Sequence, residues 1–133
     1  MNNSSLAYVL LRISMGINML GHGLVRIPKL NAFADGMTKG FEKSWLPSSM
    51  VHLFGNVLPF LELLTGILLI IGLKTKLALI AGAVLVIVLL FGSSTVENWD
   101  GMGTQMIYAL FFYFLLHKLE NNKYSVDNKL IKQ

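Results

Sequence analysis

The stretch that decides the fold is residues 51–73, VHLFGNVLPFLELLTGILLIIGL. It is long enough to cross a bilayer as a helix, since a span needs about 20 mostly apolar residues. One carboxylate, Glu62, lies near its middle, where an unpaired charge is costly to bury. The stretch therefore predicts a membrane helix whose glutamate has a partner on a neighbouring helix.

Three further apolar segments accompany this stretch: residues 5–27, residues 77–91 with their flanks, and residues 102–117. The mean hydropathy of +0.62 is too high for a soluble domain. Backbone polar groups cannot stay unpaired in hydrocarbon, and the strand-like alternation of a barrel is missing from the sequence, so the segments predict helices. We expect an all-α membrane protein, with a bundle of four transmembrane helices in residues 1–118 and a polar tail in residues 119–133.

The connections between the segments predict the topology. The longest, residues 28–49, has an amphipathic pattern that predicts a short interfacial helix or loop between the first two spans. The tail is predicted to have no fold of its own. Six lysines gather on the side of both termini: Lys74, Lys76, Lys118, Lys123, Lys129 and Lys132. By the positive-inside rule, we expect a multi-pass protein of the cell inner (plasma) membrane with both termini in the cytoplasm.

Composition excludes several functions. The chain has 0 cysteines, which excludes disulfides, thiolate catalysis, iron–sulfur ligation and covalent haem. Its net charge of +4 comes from lysines that flank the spans, so we expect no nucleic-acid partner. The sequence contains no clustered metal ligands, no nucleophile beside a base and no phosphate-binding glycine loop. The first segment has no basic leader region and is predicted to be retained as a span.

Arg12, inside the first span, is the predicted partner of Glu62. At about 1.5 Å rise per residue, Arg12 starts roughly 10 Å and Glu62 roughly 16 Å from the span ends on the side of the termini, an offset that an arginine side chain covers. At 100° per residue the charges lie on two stripes rich in small residues: Arg12, Gly16, Met19, Gly23 and Arg26 on one helix, and Gly55, Pro59, Glu62 and Gly66 on the other. A buried pair that fixes helix register and a glutamate that titrates against a proton or ligand both remain open.

Polar residues also converge at one depth near the outer ends of the spans, beside aromatic residues. These candidate ligand-binding residues are Asn18, His22, Arg26, Trp99 and Gln105. They predict an amphipathic pocket in which His22 donates to a quinone carbonyl, although a hydrogen bond between helices is the simpler role for this histidine. Haem ligation by His22 and His52 is disfavoured, because His52 lies close to the membrane surface.

The order of these residues resembles the DoxX family of small four-helix membrane proteins. The motifs are Arg12-x3-Gly16-x5-His22-Gly23-x2-Arg26 and Glu62-x3-Gly66-x5-Gly72-x2-Thr75-Lys76. The resemblance covers residues 6–116, and it departs from the family at Arg26, where many relatives have lysine, and at Lys76, where arginine is usual. It implies a four-helix bundle and, through the thiosulfate oxidoreductase subunits after which the family is named, quinone-linked redox chemistry.

We therefore expect a DoxX-like integral membrane subunit of a redox-linked assembly, with quinone as its small-molecule ligand. Enzymatic activity is expected only as a subunit of a quinone-linked oxidoreductase. The alternative is a non-catalytic accessory subunit that packs against a larger membrane complex. A small solute or proton transporter is a third class, which would require oligomerisation because four short helices hardly enclose a pathway. The expected partners are the lipid bilayer and either other membrane subunits or further copies of the chain.

Overall fold

The structure, a computed structural model, describes residues 2–132, and helices joined by short turns and loops make up this range. Six α-helices lie within this range: α1 (Asn3–Arg26), α2 (Leu30–Gly40), α3 (Ser48–Ile71), α4 (Thr75–Thr95), α5 (Trp99–His117) and α6 (Val126–Ile131). Short 3-10 turns at Ile27–Lys29 and Leu119–Asn121 join α1 to α2 and follow α5. The all-α prediction is confirmed, and the third and fourth predicted segments are longer than expected.

Three helical stretches in the described chain are long and apolar enough to cross a membrane: Asn3–Gly40, Ser48–Ile71 and Thr75–Thr95. Helix α5 has 19 residues, but Asp100, Thr104 and Gln105 make its first half too polar to be counted with them. Large apolar side chains on the bundle surface, such as Leu10, Leu53 and Ile87, are more than half exposed. Such an outer surface is suited to contact with lipid.

Helices α1 and α3 pack closely because glycine lies at each crossing point. A Cβ atom on Gly23 would lie 2.5 Å from the carbonyl oxygen of Pro59, and one on Gly16 would lie 3.1 Å from that of Gly66. Backbones can approach this closely only where side chains are missing. The predicted small-residue stripes are therefore confirmed as the faces on which the two helices meet.

The register of this antiparallel pair contradicts the predicted partnership of Arg12 with Glu62. Arg12 lies beyond Gly16, level with Gly72, where an added Cβ would be 2.9 Å from the Arg12 Nη1 atom. Glu62 lies instead beside the Gly23 contact, on the order of 15 Å further along the helix axis. The prediction was wrong because it placed the ends of both spans at one level, whereas the first turns of α1 extend past the end of α3.

Helices α2, α4 and α5 complete the bundle. The ring of Phe112 on α5 lies against Gly82 of α4, where a Cβ would be 2.5 Å from the ring. Helix α2 is the predicted short helix between the first two spans, and its Ala34 packs on Gly55 of α3 with a separation of 3.0 Å between the Ala34 Cα and an added Cβ. These contacts place α2 across one end of the bundle.

The C-terminal segment, residues 119–132, closes the other end. The Asp127 carboxylate accepts hydrogen bonds from the backbone N–H groups of Lys74, at 2.7 Å, and Thr75, at 2.8 Å, so it caps the first turn of α4. Its own N–H donates to the carbonyl of Gly72 at 2.9 Å. The prediction that this tail has no fold of its own is wrong, because its polar side chains find backbone partners on the α3–α4 turn.

Candidate functional site

A cavity of about 560 Å³ lies between α1, α2, α3, α4 and α5, at the end of the bundle covered by α2. Small-molecule sites usually have volumes of roughly 300 to 1,000 Å³. Most of the wall is apolar and aromatic: Phe33, Met37, Phe41, Phe54, Leu58, Leu89 and Phe91. Its rim includes Met50 and Phe91, which are 49% and 54% exposed, so the cavity reaches the apolar surface of the bundle.

The polar side of the cavity begins with three residues of α1. Asn18, His22 and Arg26 follow one another at intervals of four residues, so they occupy successive turns of one helix face. All three line the cavity. This face lies beside the glycine face that contacts α3, and it directs the three polar groups into the cavity.

Arg26, rather than Arg12, is the partner of Glu62. Its Nη1 atom donates to both carboxylate oxygens of Glu62, at 3.0 and 3.1 Å. The ring of Phe33 lies 4.4 Å from the guanidinium carbon, a distance at which the ring face attracts a cation. The Glu62 side chain is 6% exposed and that of Arg26 is 27% exposed, so the pair forms one partly buried wall of the cavity.

His22 has a defined orientation. Its Nδ1 atom lies 2.7 Å from the backbone carbonyl oxygen of Asn18. Because a carbonyl oxygen can only accept, Nδ1 must carry the proton in this contact. The ring also meets Tyr108 edge to face, with 6.4 Å between the ring centres. The imidazole is therefore held from both its own helix and α5.

Two buried polar atoms, which we call the open polar atoms, have no hydrogen-bond partner among residues 2–132: Asn18 Nδ2 and Gln105 Oε1. The other end of the Gln105 amide is anchored, since Nε2 donates to the hydroxyl of Ser93 at 3.0 Å. A buried amide atom without a partner is costly, and native structures contain few of them. Both residues line the cavity, so a ligand or a water molecule in the cavity can bond to these atoms.

The structure brings together four of the five candidate ligand-binding residues. Asn18, His22, Arg26 and Gln105 all line the cavity. Trp99 lies outside its lining and is 61% exposed at the start of α5, so its assignment to the pocket was wrong. The first turn of α5 reaches the cavity through Gly101, whereas the Trp99 side chain lies on the exposed side of that turn.

Other cavity residues were not predicted to belong to a ligand site. Phe33, Met37 and Phe41 come from α2 and its end, and their spacing of four residues on an amphipathic helix was the available signal. Ser93 was missed because the third apolar segment was ended at residue 91, whereas α4 continues to Thr95. Glu62 was recognised as a site residue, but with a different partner.

The opposite end of the bundle holds Arg12. We call this arginine saturated, because each of its three side-chain nitrogen atoms donates a hydrogen bond to the protein. Its side chain donates to the carbonyls of Leu69 and Tyr124, each at 2.9 Å, and to the side-chain oxygen of Asn122. Arg12 is 2% exposed, and its partners are neutral oxygens of α3 and the C-terminal segment. This arrangement is suited to holding the bundle end together.

Asp127 is the charged group outside the spans that shapes this end. Burial alone would raise the pKa of the Asp127 carboxyl, but the hydrogen bonds from Thr75 and Lys74 outweigh it, and the pKa is lowered from its ordinary 3.8. Arg12 contributes in the same direction. The ionised carboxylate is therefore the form that joins α6 to α4.

The histidine and carboxylate residues of the cavity lining are His22 and Glu62. Among residues 2–132, no group of three or more histidine, aspartate or glutamate side chains could hold a metal ion. His52 lies outside the cavity lining and contacts Asp35, with 3.1 Å between Nε2 and Oδ1. The cavity thus offers hydrogen bonds, one ion pair and aromatic surface to a ligand.

The chain matches a known protein family. The family model described as DoxX matches residues 7–94, which confirms the predicted resemblance over α1, α2, α3 and most of α4. The matched range includes Asn18, His22, Arg26 and Glu62 of the cavity, while Gln105 lies beyond it. No curated protein and no solved structure matches the chain.

Proposed function

Because this chain belongs to the DoxX family of membrane proteins, we propose that it is a subunit of a redox-linked membrane assembly and that its cavity binds a quinone. The observation that carries the proposal is the pair of open polar atoms, Asn18 Nδ2 and Gln105 Oε1, in a cavity with a mostly apolar wall. Such a site is matched by a molecule with a polar ring and an apolar tail. Quinones of membranes have this form.

The cavity residues can perform distinct parts of this binding. Asn18 Nδ2 and the remaining N–H groups of Arg26 are donors for carbonyl oxygens of the ring. The rings of Phe33 and Tyr108 supply aromatic faces and edges beside that head group. The exposed rim at Met50 leads to the apolar surface, and it gives the tail a path into the bilayer.

Electron transfer in this proposal requires a partner subunit. The chain has 0 cysteines for thiol or iron–sulfur chemistry, and its part is to bind and orient the ring and to exclude water. The quinone supplies the two-electron redox chemistry. The partner subunit would supply or withdraw the electrons.

We also propose that α5 is a fourth span and that both termini lie in the cytoplasm of a cell whose inner membrane holds the protein. In support, α5 runs along α4 through the Phe112–Gly82 contact, and the lysine-rich α3–α4 turn and C-terminal segment share one end of the bundle. Single-cysteine variants test this directly, because the native chain has 0 cysteines. A membrane-impermeant maleimide added outside the membrane should label K43C and spare K123C.

Photo-labelling tests the quinone proposal. An azido-quinone bound to the protein in lipid nanodiscs should attach to cavity residues such as Met37 and Tyr108, and excess unlabelled quinone should displace it there. Label on the lipid-facing Ile87 and Ile107, which are 62% and 52% exposed, serves as the control and should resist displacement. Displaceable label confined to the lipid-facing residues would refute a quinone in the cavity.

The alternative function, a cofactor-free accessory subunit, rests on the apolar outer faces of α3 and α4. Leu53, Leu64 and Ile87 are each more than half exposed, and a larger membrane protein would cover them as well as lipid does. Mass spectrometry of the assembly in mild detergent separates the two functions. Quinone that stays bound to this subunit when the assembly is dissociated favours the quinone-binding function. Partner proteins bound to a quinone-free subunit favour the accessory function.

A further inference from the structure

The end of the bundle that carries the C-terminal segment has a large excess of positive charge. Two acidic residues, Glu120 and Asp127, accompany six exposed lysines there, whereas acidic and basic residues are nearly equal in number at the end covered by α2. Within residues 2–132 the salt bridges are Arg26–Glu62 and His52–Asp35, so these lysines have no ion-pair partner in the described chain. We call this surface the lysine end, and its lysines are Lys74, Lys76, Lys118, Lys123, Lys129 and Lys132.

A depression of about 460 Å³ lies on the lysine end, between the start of α4 and the C-terminal segment. Lys76 and Lys123 both line it, so two positive charges from distant parts of the chain face one space. Its wall also includes Leu130 and Ile131, which are exposed apolar residues of α6. The depression therefore combines attraction for an anion with apolar contact surface.

A second, smaller depression of about 340 Å³ shares Lys76 with the first and continues along α4. It brings Lys74 and Lys76 beside Leu77 and Ile80, two exposed residues on the first turns of a helix that is apolar enough to span a membrane. Lysine ammonium groups near the end of a span lie at the level of the lipid headgroups, while apolar residues further along the helix face the acyl chains. The order of charge and apolar surface along α4 thus matches a phospholipid.

We propose that the lysine end binds an anionic phospholipid, with its phosphate between Lys76 and Lys123 and its acyl chains along Leu77 and Ile80. Basic residues at a membrane surface attract anionic lipids, and the unpaired lysines supply this attraction. A soluble phosphate ester would match the lysines but would leave the apolar walls of both depressions uncovered, which favours the lipid. This site is separate from the cavity and does not depend on a quinone.

Native mass spectrometry of the full chain in mild detergent, titrated with single lipids, tests the proposal. The probes are phosphatidylglycerol, phosphatidylcholine with the same acyl chains, and glycerol 3-phosphate, which has the phosphate without the chains. We expect phosphatidylglycerol to bind more tightly than the other two. Equal affinities for the two lipids would overturn the requirement for negative charge. Glycerol 3-phosphate that binds as tightly as phosphatidylglycerol would assign the site to a soluble phosphate ester and overturn the lipid.

Two pairs of lysine substitutions separate a defined site from diffuse attraction. Lys76→Gln with Lys123→Gln removes both charges that face the larger depression, so it should weaken phosphatidylglycerol about thirtyfold and leave phosphatidylcholine unchanged. Lys118→Gln with Lys129→Gln is the matched control, because it removes the same charge from the lysine end at residues outside both depressions. The control pair should weaken phosphatidylglycerol at most about fivefold, since more distant exposed charges are screened by salt.

The positions of all four substituted lysines are exposed, so both double variants should keep the melting temperature of the wild type. This measurement separates lost binding from lost folding. Equal losses of phosphatidylglycerol affinity in the two double variants would show that the whole basic surface attracts the lipid, and would overturn a site at Lys76 and Lys123.

Discussion

The two ends of the bundle each hold an arginine from the same helix in a different environment. Arg12 is 2% exposed and its donors meet neutral oxygens of α3 and the C-terminal segment. Arg26 is only partly buried, faces the single carboxylate of Glu62 and borders a cavity that also holds the open polar atoms. One end is saturated, and the other retains unused hydrogen-bonding capacity.

This difference distinguishes a charge that stabilises the fold, on Arg12, from a charge that is available to a ligand, on Arg26. A buried cation whose partners all come from the protein contributes to stability and has nothing left to offer a ligand. A cavity with unpaired donors and acceptors costs stability in the free protein and recovers it when a ligand binds. Substitutions at the two ends should therefore differ in whether they change stability or binding.

Removing the saturated arginine is expected to have the largest effect. Arg12→Met leaves one buried and two partly buried oxygens without their donor, which should lower the free energy of unfolding by roughly 3 to 5 kcal/mol. Thermal unfolding in detergent measures the loss, and quinone affinity of the remaining folded protein should be unchanged. A variant as stable as the wild type would contradict a structural role for Arg12.

The glycine contact between the two ends gives the next largest effect. Gly23→Ala places a methyl group 2.5 Å from the backbone oxygen of Pro59, which cannot move freely, so we expect a loss of about 2 kcal/mol. Gly21→Ala is the matched control, since a Cβ at Gly21 meets nothing within 4 Å and should stabilise the helix by about 0.5 to 1 kcal/mol. Melting temperatures that move in the same direction for both variants would mean that α1 and α3 are not in close contact at Gly23.

A pair of double-mutant cycles compares the two arginines directly. Glu62→Gln should lower the free energy of unfolding by about 1 kcal/mol, and Glu62→Ala by more, because Arg26 loses its carboxylate partner. The cycle with Arg26→Gln should show coupling of at least about 0.5 kcal/mol, whereas the cycle with Arg12→Gln should be additive within about 0.3 to 0.5 kcal/mol. If Glu62 were coupled to Arg12 and not to Arg26, the observed pair would be contradicted and the pair predicted from the sequence would be supported.

The smallest expected effect concerns Asp127 and pH. Its pKa is lower in the folded state than the ordinary 3.8, so the unfolded state takes up the proton first and the carboxylate stabilises the fold above that pH. The contribution is lost as the pH falls through the lower, folded pKa. Asp127→Asn retains one oxygen for two N–H donors, so it should cost about 0.5 kcal/mol at neutral pH, and the difference from the wild type should shrink below pH 3.8. A difference that stays constant from pH 7 to pH 3 would show that ionised Asp127 does not cap α4.

The helices and the polar stripe could be predicted from the sequence because each depends on local spacing. Hydrophobic length predicted the apolar helices, and the 100° projection predicted the faces of Gly16, Gly23 and Gly66. The same projection placed Asn18 and His22 together. The fold of the C-terminal segment escaped prediction, since its order comes from hydrogen bonds to the α3–α4 turn more than 50 residues earlier in the chain.

Local pattern was thus sufficient for the apolar helices, their small-residue contact faces and four residues of the candidate site. Tertiary packing alone decided which arginine meets Glu62, because a shift along an antiparallel helix pair changes the partner by several turns while each helix face stays the same. Tertiary packing also decided that Trp99 lies outside the cavity and that α2 covers the cavity. Register and the docking of distant segments depend on contacts between helices, and no single helix contains that information.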